Sequence, residues 1–400
     1  MKIKNVQIKT EGETVFLTAD CVVRYSGIDT IYFKFDKKYK DFIAADASPF
    51  AAALLIPSMK LGQDLIIEGE ISEKLYQGLQ EIMKTVLSWN IGLRSIKIIA
   101  NNLVKDNFNA TKTAAFFSGG VDSFYTYIKN KESGDNNISH FILARGYDIC
   151  LDDQKLWDMT CKTIEDVAEE ENIEIIKVES NIRSFIDPIM IWDYVHGGCL
   201  AALGLCLRRE LKQLFIASSY THDQLFPWGS HPHIDYHWST ETLIFCHDGA
   251  DTSRVEKVKF IGKNPLVQRN LRVCYLNTGK TFNCGTCDKC IRTMINLRIA
   301  GSLEGAETFP HTINVEQMKN LRVEADHGAI FHRENLAELE RLNIDFDLQE
   351  AIKVALDNVS HSSRWLTKTV LKLSFLDFFY NQSRLQKLAN FFRNRSQYIG

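Results

Sequence analysis

Thr113-Ala114-Ala115-Phe116-Phe117-Ser118-Gly119-Gly120-Val121-Asp122-Ser123 is an apolar run closed by a glycine turn, and the helix-compatible Phe124-Tyr125-Thr126-Tyr127-Ile128-Lys129 follows it. A buried strand, a tight turn and a helix start in that order aim unpaired backbone N–H groups and the positive end of a helix dipole at one point, which suits a phosphate. Gly119 and Gly120 lack a Cβ, so they can take positive φ and let a phosphate approach the backbone. The hydroxyls of Ser118 and Ser123 can donate to its oxygens. Asp122 does not fit a plain phosphate cradle. A carboxylate there is tolerable if it holds Mg2+ or accepts bonds from loop amides, and so points to a nucleotide with its metal. The alternative is an ordinary βα turn with Ser118 or Asp122 as the helix cap. The string has neither the Gly-Lys-Ser/Thr ending nor the Gly-x-Gly-x-x-Gly spacing of the better-known phosphate loops.

Downstream the pattern alternates. Phe141 to Ala144 reads as a second buried strand, Trp157 to Glu171 as a helix, Ile173 to Val178 as a third strand, Gly198 to Leu211 as a helix and Leu214 to Ser218 as a fourth strand. Such alternation predicts an α/β fold, a doubly wound parallel sheet with ligands at the carboxyl ends of its strands. The glycine turn sits at such an end, as do Ala144-Arg145-Gly146 and Ser218 to Asp223.

Upstream, Val6 to Thr10, Val15 to Val23 and Thr30 to Phe35 have the β-rich character of strands; Leu65 to Gly69 and an amphipathic helix from about Ser72 to Leu87 complete an accessory α+β domain over 1–107. Polar Asn101 to Asn109 is the expected linker into a catalytic domain at 108–303. Beyond it, 304–400 reads as a helical C-terminal region, with helices at Asn335 to Leu342, Leu348 to Val359 and Thr367 to Arg393.

The chain has 400 residues, 45% hydrophobic and 24% charged, with a formal net charge of -3. That balance is ample for a core and argues against non-specific binding to nucleic acid or membrane. The opening Met1-Lys2-Ile3-Lys4-Asn5-Val6 has no apolar signal segment and no apolar run reaches membrane-spanning length, so a cytoplasmic protein is expected.

Four of the ten cysteines crowd together: Cys274, then Cys284-Gly285-Thr286-Cys287-Asp288-Lys289-Cys290. Thiolates two residues apart around a glycine turn can converge on one ion, and a distant fourth can close a tetrahedron, which favours a structural zinc over the rival iron–sulfur cluster. Cys21, Cys150, Cys161, Cys199, Cys206 and Cys246 lie in apolar, scattered settings and read as core.

Ser118-Gly119-Gly120-Val121-Asp122-Ser123 resembles the SGGxDS signature of the PP-loop ATP pyrophosphatases, which cleave ATP between the α and β phosphates and transfer AMP to a substrate oxygen. The added cysteine pattern, followed by Arg292, narrows the resemblance to the 7-cyano-7-deazaguanine synthases, over roughly Thr113 to Arg298. Those enzymes adenylate a deazapurine carboxylate, admit ammonia to give an amide and dehydrate it to a nitrile, around a four-cysteine zinc. The resemblance implies ATP, Mg2+ and Zn2+ as cofactors. It assigns ATP contacts to Phe117, Ser118, Gly119, Gly120, Val121, Asp122, Ser123, Ala144, Arg145, His196, Gly197 and Gly198, and zinc to Cys274, Cys284, Cys287 and Cys290. His196-Gly197-Gly198 also precedes an apolar helix, so its glycines would free amides for a ligand. Asp223 becomes a Mg2+ or nucleotide contact, and Ser230, His231 and Asp235 candidates for the base or its carboxylate. This chain carries His231-Pro232-His233 where the synthases have a Tyr-Pro-Asp-like sequence; a histidine metal site or plain loop packing are the alternatives there. Lys257 first and Arg254 second are the cations expected to offset charge on departing pyrophosphate, with Asp122 as third catalytic residue.

The reaction expected from the resemblance is carboxylate adenylation followed by amine attack, a C–N ligase activity releasing AMP and pyrophosphate. No glutaminase signature is present, so ammonia would be free or supplied by a protein partner; a homodimer is compatible with this reading. The two added regions raise a second reading, in which the acceptor amine belongs to a protein or nucleic acid; relatives with such additions occur in anti-phage operons. A tRNA-modifying thiolase of the same superfamily and a non-catalytic nucleotide-binding module are further alternatives.

Overall fold

A computed structural model of the chain describes residues 1–23, 27–274, 282–323 and 327–358. Its strands are β1 (Lys2–Glu11), β2 (Thr14–Val23), β3 (Gly27–Asp36), β4 (Leu65–Ser72), β5 (Ile98–Val104), β6 (Lys112–Phe116), β7 (His140–Arg145), β8 (Glu174–Ser180), β9 (Leu211–Ala217) and β10 (Ile244–Asp248). All ten belong to one sheet in the order β10-β9-β6-β7-β8-β3-β2-β1-β4-β5.

From β10 to β8 every neighbouring pair is parallel. Counted along the chain, these strands run fifth, fourth, first, second, third, so the winding reverses between β6 and β9. In an open α/β sheet the crevice at such a reversal, beyond the carboxyl ends of the strands, is where ligands bind. The glycine turn after β6 stands at its mouth.

The helices are α1 (Ser48–Leu61), α2 (Glu73–Ser88), α3 (Val121–Ser133), α4 (Gln154–Glu171), α5 (Ile182–Ile186), α6 (His196–Cys206), α7 (Arg254–Ile261), α8 (Pro265–Asn270), α9 (Asp288–Ile299), α10 (Val315–Lys319), α11 (His327–Leu342) and α12 (Phe346–Asp357). They cover both faces of the parallel strands, because successive strand residues point to opposite sides. Ala114, Ile142, Leu214, Ile216 and Phe245 pack with α6 and α1 in one apolar cluster. Ala115, Phe141, Leu143 and Phe215 pack with α3, α4, α7 and α9 in another.

The first 107 residues extend this sheet. Phe33, Lys34 and Phe35 of β3 pair antiparallel with Ser180, Glu179 and Val178 of β8, and residues of β1 to β4 share an apolar cluster with α6. The expected linker is partly structured: its first residues finish β5, which is parallel to β4, and Asp106 accepts from the buried Arg208 at 2.8 Å. Two elements of the whole sheet and its cover give no period in the sequence. Helix α1 is buried along nearly its whole length, so it has no polar face, and β10 is only five residues long. The helix expected from Gly198 to Leu211 ends at Cys206, because Leu211 already pairs as the first residue of β9.

In the C-terminal region α11 and α12 cover the expected helices and pack with α9 and α10. The helix expected at Thr367 to Arg393 lies outside the described residues. Among the described residues no helix is long and apolar enough to cross a membrane.

Candidate functional site

The glycine turn makes an abrupt passage from strand to helix. Gly119 has φ +73°, a conformation that favours glycine, and Gly120 caps α3 with extended backbone (φ -85°, ψ 171°). Ser118 is exposed, so its hydroxyl is available to a ligand. The other expected hydroxyl is engaged: Ser123 Oγ donates to Gly120 O at 3.0 Å. Phe117 stacks on Phe141 with ring centroids 4.0 Å apart and is buried, so only its backbone could touch a ligand. Val121 is likewise buried.

Asp122 and the two cations expected at the phosphates come together. Arg254 Nη1 donates to Asp122 Oδ2 at 2.9 Å and Lys257 Nζ to Asp122 Oδ1 at 3.2 Å. Burial raises the pKa of Asp122, but the charges of Lys257 and then Arg254 outweigh it and hold the carboxyl below its ordinary value. Each oxygen of the carboxylate is therefore paired with one of the two cations. Lys257 also donates to the carbonyl of Ser218, at the end of β9, and is 1% exposed. It fastens the turn after β6 to the strand across the crevice.

Three more cations reach this place. Arg272 donates its backbone N–H to Gly119 O at 2.8 Å. Arg292 pairs with Asp288 at 3.1 Å, and its guanidinium lies 4.2 Å from the centre of the Phe331 ring, which Arg254 approaches at 5.5 Å. Lys289 is open to solvent, yet desolvation by surrounding protein lowers its pKa, Asp148 opposing the shift and Arg292, Arg254 and Arg272 adding to it. Lys289 is therefore within electrostatic reach of these three arginines. Burial lowers the pKa of Arg254 as well, against the attraction of Asp122 and with the repulsion of Arg292. The Nε atoms of Arg254, Arg272 and Arg292 are buried without a hydrogen-bond partner among the described residues. Gathering like charges is costly, and an anion of several charges would offset that repulsion.

Helix α11 closes one side. Glu334 accepts from the Arg254 backbone N–H at 3.2 Å and from Gln224 Nε2 at 3.0 Å, and His332 Nε2 lies 2.7 Å from Asp288 Oδ1. Sequence reasoning missed Arg272, Lys289, Phe331, His332 and Glu334. Only Lys289 had a local signal, a charge between two clustered cysteines.

The remaining expected contacts are more dispersed. Ala144 and Arg145 end β7, but the Arg145 guanidinium donates to Leu151 O at 2.6 Å and Gln154 Oε1 at 2.9 Å. Gly197 and Gly198 serve packing. A Cβ on Gly197 would lie 1.9 Å from the Gly229 carbonyl oxygen, and one on Gly198 would lie 2.7 Å from the Ala52 carbonyl oxygen. Asp223 is exposed in a single turn of 3-10 helix.

Ser230, Asp235 and His196 form one network with His247. Asp235 is fully buried, and its Oδ2 accepts from Ser230 Oγ at 2.6 Å and lies 2.7 Å from His247 Nδ1. The Ser230 backbone N–H donates to His196 Nε2 at 3.2 Å, which assigns the His196 proton to Nδ1, 3.3 Å from Trp192 O. Burial lowers the His196 pKa, in keeping with a neutral ring. His231 accepts at its carbonyl from the Asp235 backbone N–H at 2.9 Å, but its ring makes no hydrogen bond to this group among the described residues. It packs against Trp89, accepts from the His233 backbone N–H at 3.1 Å, and burial brings its pKa down to about 4.

The four cysteines meet as expected. The sulfurs of Cys274, Cys284, Cys287 and Cys290 all lie within 4.8 Å of one another, with Cys284 to Cys290 at 3.8 Å and Cys287 to Cys274 at 4.0 Å. Zinc–sulfur bonds of about 2.3 Å put tetrahedral sulfurs about 3.8 Å apart, so this set fits zinc. Gly285 makes the turn at φ +71°, and Cys284 Sγ accepts the backbone N–H groups of Thr286 and Cys287. Asn283 Oδ1 accepts the N–H groups of Val273 and Cys274 at 2.9 and 3.1 Å, which ties the first cysteine to the turn.

None of the family models, curated proteins or solved structures compared with this chain matches it.

Proposed function

We propose that this chain is an ATP-dependent, carboxylate-activating enzyme of the PP-loop type, resembling the 7-cyano-7-deazaguanine synthases. The observation that supports it most is the pairing of Asp122 with Lys257 and Arg254 behind a glycine turn at the point where the sheet's winding reverses. In this reading the amides of Ser118 to Val121 and the Ser118 hydroxyl receive phosphate oxygens. A carboxylate oxygen of the substrate attacks the α-phosphorus, and the bond to the β-phosphate breaks with its electron pair leaving on pyrophosphate. Lys257 keeps Asp122 in place, Asp122 orients Arg254, and Arg254 with Arg272, Lys289 and Arg292 meets the charge that grows on the leaving group. Mg2+ carried with ATP would shield further phosphate charge, and zinc on the four cysteines would staple Cys274 to the 284–290 turn. The acyl adenylate then bonds an amine nitrogen at its acyl carbon, AMP leaves with the electrons of the acyl–oxygen bond, and the nitrogen gives up its proton. The substrate class, a 7-carboxy-7-deazaguanine-like acid, rests on the resemblance of the two motifs.

The test is conversion of ATP to AMP and pyrophosphate with 7-carboxy-7-deazaguanine and ammonia, with mass analysis of the product. Arg254→Met should lower the rate at least about 100-fold, the scale for losing one preorganised charge contact. No AMP from the parent protein would sink the reading. A macromolecular acceptor is the second reading. It is favoured by contributions to the surroundings of the site from outside 108–303, namely Phe331, His332 and Glu334 on α11 and Trp89 after α2. A mass increase on a co-purified partner, with no free amide or nitrile, would select it.

A further inference from the structure

The cysteines and the cleft cations are interleaved along the chain. Arg272 is two residues before Cys274, Lys289 lies between Cys287 and Cys290, and Arg292 is two residues after Cys290. The same two segments thus meet through four sulfurs on one side and, on the other, reach the glycine turn and Arg254. On the cation side Arg272 is bonded to the glycine turn through Gly119 O, and Arg292 shares the Phe331 ring with Arg254. Arg254 and Arg292 are 6% and 8% exposed, each paired with a single carboxylate, Asp122 and Asp288, so two buried guanidinium groups stand together with charge to share with an anion.

We propose that the four-cysteine centre is coupled to the anion cleft: metal held by Cys274, Cys284, Cys287 and Cys290 fixes Arg272, Lys289 and Arg292 around a polyphosphate, so that metal and polyphosphate each raise the other's affinity. This rests on the reading of the cleft as a polyphosphate site and adds to it that the metal acts on binding and not on fold stability alone. The physical reason is pre-organisation. Three like charges cannot be gathered without cost, and a metal that already orders their backbone leaves less of that cost to the ligand. A polyphosphate that binds the gathered cations must by linkage retain the metal.

The experiment uses the full chain loaded with zinc and measures zinc release to an excess of a chromogenic chelator, with and without magnesium pyrophosphate. In the parent protein pyrophosphate should slow release at least about threefold. In Lys289→Gln, which keeps all four sulfurs, zinc content should stay at one per chain and pyrophosphate should no longer slow release; this variant also controls for zinc taken by pyrophosphate itself. A calorimetric titration of parent protein before and after partial zinc removal should show pyrophosphate affinity falling about tenfold, which is 1.4 kcal/mol. Pyrophosphate that binds the parent tightly but leaves zinc release unchanged or faster overturns the coupling and spares the cleft. Absence of any pyrophosphate binding overturns both.

Discussion

Arg254 Nη1 meets Asp122 Oδ2 at 2.9 Å across 132 positions of sequence, and that contact joins the turn after β6 to the first residue of α7. Its partner contact through Lys257 reaches the end of β9 as well. One carboxylate therefore fixes three carboxyl-end elements of the sheet.

Asp122→Asn should separate the charge from the shape. The amide keeps the volume but leaves two buried cations without a counter-charge, a loss of about 2–3 kcal/mol once the partial exposure of Asp122 is allowed for. Because the folded-state pKa of Asp122 is depressed, its contribution is complete above the ordinary carboxylate range and is lost as pH falls below about 4. Urea unfolding of parent and variant at pH 7 should differ by this amount, and the difference should shrink below pH 4.

Gly78→Ala reverses an ordinary rule. Alanine inside a helix normally stabilises by up to about 1 kcal/mol. Here a Cβ on Gly78 of α2 would lie 1.9 Å from the His237 carbonyl oxygen, so helix and loop must part. We expect a fall in melting temperature of several degrees, equivalent to about 2 kcal/mol or more. An unchanged or higher melting temperature would show that the two segments are not in contact.

His231 should give the protein an acid-sensitive contact. Burial holds its folded-state pKa near 4, while the unfolded ring titrates near 6.5. Between those values the unfolded chain binds the extra proton, so stability rises with pH from 4 to 6.5 and is level above. At about 1.4 kcal/mol per unit this amounts to roughly 3 kcal/mol as a ceiling. His231→Gln should flatten the stability profile over that window, as measured by chemical denaturation at a series of pH values.

Arg208 is 1% exposed and bonded to both Asp46 and Asp106. Removing a buried ion's partner leaves uncompensated charge, so Arg208→Ala should cost about 3–5 kcal/mol, whereas the double change of Asp46 and Asp106 to Asn in the Arg208→Met background should recover part of it. Equilibrium unfolding of the single and combined variants checks this.

What the chain determines by itself is what depends on neighbours a few residues apart. The apolar period of 113–217 prescribes alternating strands and helices, Gly119 and Gly120 permit the sharp turn, and the spacing of Cys284, Cys287 and Cys290 brings three sulfurs together through one glycine turn. What only the tertiary structure decides depends on pairings with no period. The addition of β1 to β5 to the sheet runs through three residue pairs between β3 and β8, and a strand edge carries no mark of which partner it will take. The use of Gly197 for close packing follows from where Gly229 arrives. The resemblance of their segments singles out Lys257, Arg254 and Arg292, but that Arg272 and Lys289 join them is not readable, because isolated charges on separate segments have no spacing that states which meets which. Only the folded sheet converts them into one cationic cleft.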